Sequence, residues 1–180
     1  TKAPFLLAQT LNLEAEVYKK INQPTLATQA YEGIISAEGM PPEQKRLALL
    51  KEVELTASQS AFTNAAARVA VYLAANPKEP AADLLNIKAG EYFLEAYRQQ
   101  PNKLTAPATN LVVEARKYFD TALAITNSAF LGKAWLDRGW TLWEEHLATA
   151  NPQRLVEGQA AFQAAAEKLP PGEEDRKSTR

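Results

Sequence analysis

The sequence predicts an all-α protein, and three observations support that prediction. Apolar residues recur three or four positions apart, as Leu7, Leu11, Ala15 and Tyr18 do in the first segment, which places them on one face of a helix. No segment shows the strict alternation that is typical of a half-buried strand. Prolines stand just before the apolar runs, where a missing N–H is harmless and a fixed φ favours the start of a helix.

The apolar runs predict eight helices, taken here in chain order. The prolines that mark predicted starts are Pro24, Pro42, Pro80, Pro107 and Pro152. The predicted helices are Ala3–Ile21, Thr25–Ala37, Pro42–Ser58, Phe62–Ala75, Ala81–Gln100, Ala108–Thr126, Ala129–Ala150 and Pro152–Lys168. Because the connectors between them are short, we expect helices that follow one another in the chain to pack antiparallel.

Composition excludes several classes of function. The chain of 180 residues is 46% hydrophobic and 23% charged, as in ordinary soluble domains. Lys plus Arg number 20 and Asp plus Glu number 21, a net charge of -1 that argues against a nucleic-acid-binding surface. No apolar run is long enough to span a bilayer, so we expect no membrane insertion. The absence of cysteine excludes disulfides and cysteine nucleophiles.

Four segments repeat one order of side chains: a large residue, a small one and an aromatic in a first helix, then a small residue and an aromatic in a second. The matching sets are Leu11, Ala15, Tyr18, Ala27 and Tyr31; Leu49, Val53, Thr56, Ala65, Val69, Asn76 and Pro77; Leu85, Ala89, Tyr92, Ala115, Phe119 and Ala122; and Trp135, Gly139, Leu142, Gly158, Phe162, Ala165 and Pro170. This order resembles the tetratricopeptide (TPR) repeat family. The resemblance implies a right-handed α-solenoid of about four antiparallel helix pairs. A closed helical bundle without repeats is the alternative.

The resemblance divides the chain into a repeat domain and a tail. It implies a TPR-like domain over residues 1–169, with repeats at roughly 3–40, 41–78, 79–127 and 128–169. The repeats are longer than the roughly 34 residues of the family, and charged residues occupy a position that is usually apolar, which indicates a divergent bacterial type. Those charged residues are Glu14, Glu52, Lys88 and Arg138. Residues 170–180, PPGEEDRKSTR, are charged and lack apolar periodicity, so we expect a disordered tail.

Groups that could perform catalysis are scarce. His146 is the single histidine, and it could pair with Glu145. It falls near the end of a predicted helix, where the helix dipole by itself favours a protonated histidine. It also lacks the HExxH spacing of a metal-binding helix. Two pairs of carboxylates occur at a spacing of two, Glu14 with Glu16 and Glu52 with Glu54. Residues two apart on a helix point in different directions, so we expect solvated faces. We predict no enzyme, no catalytic residue, no metal site and no cofactor.

Aromatic residues form two clusters, Tyr92, Phe93 and Tyr97, and Trp135, Trp140 and Trp143. We expect most of them to pack inside the protein. Trp140 and Trp143 lie off the packing positions, on the side that would face a groove. Tryptophan is enriched in binding hot spots, so Trp140 is a candidate ligand contact.

The resemblance implies a binding surface on the concave face, which the first helix of each repeat forms. Carried onto this sequence, that surface comprises Asn12, Glu16, Leu50, Glu54, Asn86, Gly90, Asp137 and Trp140. The set is slightly acidic and lacks the Lys/Asn/Arg group with which chaperone-binding members hold a terminal carboxylate. It therefore favours a partner that offers Lys or Arg and an apolar anchor.

The sequence leaves three functions open. The first is an interaction scaffold that binds a protein or peptide in the concave groove. The second is a structural spacer, or a segment that self-associates through the repeat ends, within a longer repeat protein. The third, a helical enzyme or ligand-binding bundle, needs convergent titratable groups that His146 alone does not supply. Because the first residue is Thr1, we expect a piece of a longer chain, and the resemblance favours a bacterial envelope or periplasmic location over the cytoplasm.

Overall fold

The computed structural model describes residues 2–169, apart from the side chain of Lys2. Within this stretch lie eight helices and no strand, so the all-α prediction is confirmed. The helices are α1 Lys2–Lys20, α2 Pro24–Ser36, α3 Pro42–Ser58, α4 Phe62–Ala75, α5 Ala82–Arg98, α6 Ala106–Leu123, α7 Leu131–Thr149 and α8 Pro152–Lys168. The predicted bounds of α3, α4 and α8 agree to the residue. The predicted tail of residues 170–180 lies outside the described residues.

The helix ends follow from local chemistry. Prolines occupy the first turn of α2, α3, α6 and α8, as predicted. Asn151 caps α8, because its side chain accepts a hydrogen bond from the backbone N–H of Gln153 at 3.0 Å. α7 ends at Ala150, whose φ of 52° is left-handed and whose N–H donates to the carbonyl of His146 at 2.7 Å. These ends set the short connectors that turn each helix back on its neighbour.

The chain divides into two compact units, unit 1 (Thr1–Glu79) and unit 2 (Pro80–Arg180). Unit 1 contains α1 to α4, and each of these helices packs on the next. α1 and α2 run antiparallel: the ring hydroxyl of Tyr31 reaches Glu16, and the side chain of Leu11 lies against Gly33. A core of small and large apolar residues is formed by α1, α2, α3 and the connector before α3; it includes Ala8, Ala15, Ala27, Ala30, Tyr31, Ile34, Met40 and Ala48.

Unit 2 contains α5 to α8, which also pack in chain order, and α5 contacts α7 in addition. α7 and α8 run antiparallel, since Gly132 lies against Leu169 while Glu145 binds Arg154. The core of unit 2 is formed by Ile87, Leu94, Tyr97, Ala108, Val112, Ala115, Phe119, Ala122 and Ala134. The predicted short-range helix pairing is therefore present in each unit.

One contact occurs twice in unit 2, a phenylalanine ring lying on a helical glycine. A methyl group added to Gly90 in α5 would lie 2.6 Å from Cε1 of Phe119 in α6, and one added to Gly139 in α7 would lie 2.6 Å from Cε1 of Phe162 in α8. Gly139 is the small residue of the first helix in the fourth repeat segment. In α5 the residue beneath the ring is Gly90, one position after Ala89, the small residue of the third segment. Glycine is required at both positions because the ring fills the space of a Cβ.

The structure corrects one prediction about charge. Glu52 was expected on a solvated face with Glu54, but only 3% of Glu52 is exposed, whereas Glu54 is exposed. The spacing of two does point the two carboxylates in different directions. The face of α3 that holds Glu52 is covered by α2 and α4, and Arg68 of α4 reaches its carboxylate at 2.8 Å. The positive charge of Arg68 makes the burial of Glu52 tolerable. The residue pattern of α3 does not reveal this partner, because Arg68 lies on another helix.

Candidate functional site

Two of the predicted binding residues of unit 1, Asn12 and Glu16, meet around Lys51, which sequence reasoning did not single out. Lys51 in α3 donates a hydrogen bond from Nζ to Oδ1 of Asn12 in α1 at 3.0 Å. The same Nζ lies 6.0 Å from the ring centre of Tyr31, whose hydroxyl donates to Oε1 of Glu16 at 3.2 Å. α1, α2 and α3 thus place Asn12 and Glu16 in one cluster.

Charge and burial shift two ionisation equilibria in this cluster. A hydrogen bond from Lys19 holds the pKa of Glu16 below its usual range, and Tyr31 and Lys51 add to this effect. Burial, assisted by Glu16, raises the pKa of Tyr31 to about 12. The exposed Glu54 acts on Tyr31 in the same direction through its charge. The cluster therefore presents a carboxylate beside a lysine at neutral pH.

The predicted binding residues of unit 2 offer little surface. Asn86 is 6% exposed, and its amide donates to the carbonyl of Ala82 at 2.7 Å. Asp137 is 7% exposed and accepts a hydrogen bond from Lys133 Nζ at 2.6 Å. Gly90 lies beneath the ring of Phe119. These residues are covered by their surroundings, so a partner would meet their neighbours first.

Lys133 joins α5 to α7 by binding two carboxylates. Besides Asp137, it contacts Glu91 of α5, which also binds Lys88 at 2.9 Å. Burial by itself raises the pKa of Glu91, but the attraction of Lys133 outweighs it and leaves that pKa below its usual range. Burial would lower the pKa of Lys133, and Asp137 and Glu91 reverse this, leaving it raised. The spacing of four between Lys133 and Asp137 was the clue in the sequence.

Trp140 belongs to a row of four apolar side chains along α7, which we call the α7 strip: Leu136, Trp140, Trp143 and Leu147. Their spacing of four, three and four places them on one face of the helix. Trp140 is partly buried: it packs on the core of unit 2, and its ring meets that of Phe162 edge-on at 5.3 Å. Trp143 is 37% exposed and Leu147 is 57% exposed. The strip thus runs from the core towards solvent.

His146 lies in the last turn of α7, where the sequence placed it. Its Nδ1 is 2.8 Å from the backbone carbonyl of Asn151, which can only accept a hydrogen bond, so Nδ1 holds a proton. Its ring centre lies 6.1 Å from that of Trp143. The histidine therefore fixes the connector between α7 and α8 beside the exposed end of the α7 strip.

α1 has a second apolar face that the rest of unit 1 leaves uncovered. We call it the α1 stripe: Leu6, Leu13 and Val17 on α1, with Ile21 directly after its last residue, which are 56%, 69%, 55% and 55% exposed. The opposite side of α1 carries Ala8 and Ala15, both buried. A helix that is apolar on two sides usually has neighbours on both.

Two other kinds of site can be considered in the part of the chain that the structure describes. There, no group of three or more His, Asp or Glu side chains could hold a metal ion. None of the helices in residues 2–169 is both long and apolar enough to cross a membrane. Comparisons of the chain with family models, with curated proteins and with solved structures find no match.

Proposed function

We propose that this chain is a divergent TPR-type interaction module that binds a protein or peptide. In this proposal the helices form a right-handed α-solenoid of four antiparallel pairs, and the protein has no catalytic role. Two observations support it. Helices pack in chain order within each unit, and the glycine–phenylalanine contact recurs at Gly90 with Phe119 and at Gly139 with Phe162.

The exposed end of the α7 strip is the observation that carries the binding role. Trp143 and Leu147 present apolar surface near the C-terminal end of α7. Large aromatic and aliphatic side chains that lose water on contact supply most of the affinity of small interfaces. Nearby charges set specificity and the rate of association. We therefore propose that the partner inserts an apolar anchor against Trp143 and Leu147.

The test avoids the residues that hold the fold. Substituting Asp137 or Trp140 would disturb the ion pair with Lys133 or the core, so loss of binding would be ambiguous. We propose instead to select peptides from a displayed random library on the whole chain. Their affinity is then measured for the wild type, for Leu147→Glu and Trp143→Ala, and for the control Val156→Glu. Leu147 and Val156 are matched in exposure, at 57% and 59%, but Val156 lies on α8, outside the strip.

We expect Leu147→Glu and Trp143→Ala to weaken the selected peptides by about 2 kcal/mol, which is roughly 30-fold in Kd. Val156→Glu should bind them as the wild type does. The urea midpoint of each variant is measured in parallel. We expect the fold to survive, because the three substituted side chains are exposed. Peptides that bind all three variants equally would place the binding surface elsewhere.

Self-association is a second candidate function, and the α1 stripe favours it. Leu6, Leu13 and Val17 lie seven and four residues apart, the spacing of a seam that fits another helix. In this proposal the occupant is a second copy of the chain, which buries the stripe of each copy against the other.

A further inference from the structure

Glu52 is a buried carboxylate at the meeting point of three helices in unit 1. It lies on α3, with Glu32 on α2 to one side and Arg68 on α4 to the other. Arg68 Nε lies 2.8 Å from Oε1 of Glu52, and Arg68 Nη2 lies 2.9 Å from Oε1 of Glu32. One guanidinium therefore serves two carboxylates, and the group as a whole is one positive charge short.

The second carboxylate oxygen of Glu52, Oε2, is buried and has no hydrogen-bond partner. An ionised carboxylate oxygen in such a place loses its water without replacement, which is costly. The carboxylates of Glu32 and Glu52 both contact the guanidinium of Arg68, and Glu32 acts on Glu52 in the direction that raises its pKa. A proton on Oε2 would turn this close approach of like charges into a hydrogen bond that Glu52 donates to Glu32.

We propose that Glu32 and Glu52 together bind one proton, held on Glu52 Oε2 and donated to Glu32, and that this proton tightens the packing of α2, α3 and α4. The proton comes from solvent, and the three-residue group then carries no net charge. Arg68 from α4 and Glu32 from α2 are the charged groups that face Glu52 in the described structure. Burial raises the pKa of Glu52, and the neighbouring Glu32 adds to this, in opposition to Arg68.

The direction of the pH dependence follows from the raised pKa. Between the ordinary value of 4.5 and the raised value, the folded chain holds a proton that the unfolded chain has released. The contribution of Glu52 to stability is therefore fully present below 4.5. It is lost as the pH rises through the folded-state pKa. Acidification from neutral pH should stabilise unit 1 through this group.

The first experiment compares urea unfolding of the whole chain from neutral pH down to the ordinary carboxyl range, for the wild type, Glu52→Gln and Glu54→Gln. Glutamine resembles the protonated carboxyl and keeps its bond to Glu32 at every pH. Relative to Glu52→Gln, the folding equilibrium constant of the wild type should rise by up to about tenfold per pH unit as Glu52 takes up its proton. The exposed Glu54 is the control, and its variant should follow the wild type. Parallel curves for the wild type and Glu52→Gln would overturn the proposal.

The second experiment observes the proton directly and does not need Glu52→Gln to fold. The carboxyl carbon of Glu52 is followed by NMR against pH in the wild type and in Glu32→Gln. In the wild type it should titrate above the ordinary range. In Glu32→Gln it should titrate at lower pH, because a neutral amide can donate to an ionised Glu52. A Glu52 that titrates in the ordinary range, or at the same pH in both proteins, would overturn the shared proton.

Discussion

At the scale of single residues, the two phenylalanine rings on glycine make the sharpest demand on side-chain size. Phe119 is fully buried, so its ring has nowhere to move when Gly90 gains a Cβ. We expect Gly90→Ala to lower the free energy of unfolding by about 1–3 kcal/mol. Gly139→Ala should cost less, because Phe162 is only partly buried and its ring can shift. Urea unfolding curves measure both.

Gly158 provides the control for these two substitutions. A methyl group there would lie 3.5 Å from Cβ of Leu142, which is ordinary van der Waals contact. Since alanine is the better residue inside a helix, we expect Gly158→Ala to raise stability by about 0.5–1 kcal/mol. A gain of the same size from Gly90→Ala would mean that the ring of Phe119 does not fill the space above Gly90.

Two buried phenols make unit 1 sensitive to alkali. Burial raises the pKa of Tyr31 and of Tyr72 to about 12, and each hydroxyl donates to a glutamate, Glu16 and Glu79 respectively. Above the ordinary value of 10.0 the unfolded chain releases these protons while the folded chain keeps them. Their contribution is thus present below that pH and is lost as the pH rises towards the folded value.

We expect Tyr72→Phe to lose about 1 kcal/mol at neutral pH, the usual worth of one hydrogen bond. Above pH 10.0, however, the free energy of unfolding of Tyr72→Phe should fall less steeply with pH than that of the wild type, because the variant has no phenol at position 72. Urea midpoints across this range, with phenolate absorbance followed in parallel, measure the difference. Equal steepness in the two proteins would show that the phenol of Tyr72 titrates normally.

At the scale of helices, Lys133 decides how α5 packs on α7. Its removal leaves Glu91 and Asp137 without their common cation. We therefore expect Lys133→Met to lower the free energy of unfolding by about 1–3 kcal/mol. This is less than for a fully buried ion pair, because the side chain of Lys133 is 28% exposed. The control is Lys117→Met, since Lys117 is 64% exposed and pairs with Glu114 of its own helix, α6. That change should cost less than about 0.5 kcal/mol. Equal losses in thermal unfolding would contradict a special role for Lys133.

The helices themselves were predictable from the sequence, and the partners of buried charges were not. Periodicity and proline are properties of one segment at a time, and they located α3, α4 and α8 to the residue. The burial of Glu52 depends on Arg68, and the position of Lys133 depends on Glu91; each partner lies on another helix. For the same reason, the sequence predicted an exposed position for Asn86, whereas it is 6% exposed in the structure. The pattern of a single helix shows which of its faces are apolar, but it does not show which other helix covers a polar face.

At the scale of the whole molecule, net charge and exposed apolar surface act together. The chain carries a formal charge of -1 and has an isoelectric point near 5.9, so electrostatic repulsion between copies is weak at neutral pH and vanishes slightly below it. The α1 stripe adds an apolar seam whose contact would remain attractive at any pH. Association should therefore strengthen as the pH approaches 5.9 and should depend on the seam.

Leu13 lies at the centre of the α1 stripe and is 69% exposed, which makes it the most direct probe of that association. Leu104, in the connection between α5 and α6, is also 69% exposed but lies outside the stripe. We expect the wild type and Leu104→Glu to show a rise in mass by light scattering as the pH falls from 8 to about 6. Leu13→Glu should stay at the mass of one chain, since a buried unpaired carboxylate disfavours the contact. Both variants add the same charge, so a difference between them reports the stripe and not the net charge. If Leu104→Glu suppresses association as fully as Leu13→Glu does, the α1 stripe is not the contact between copies.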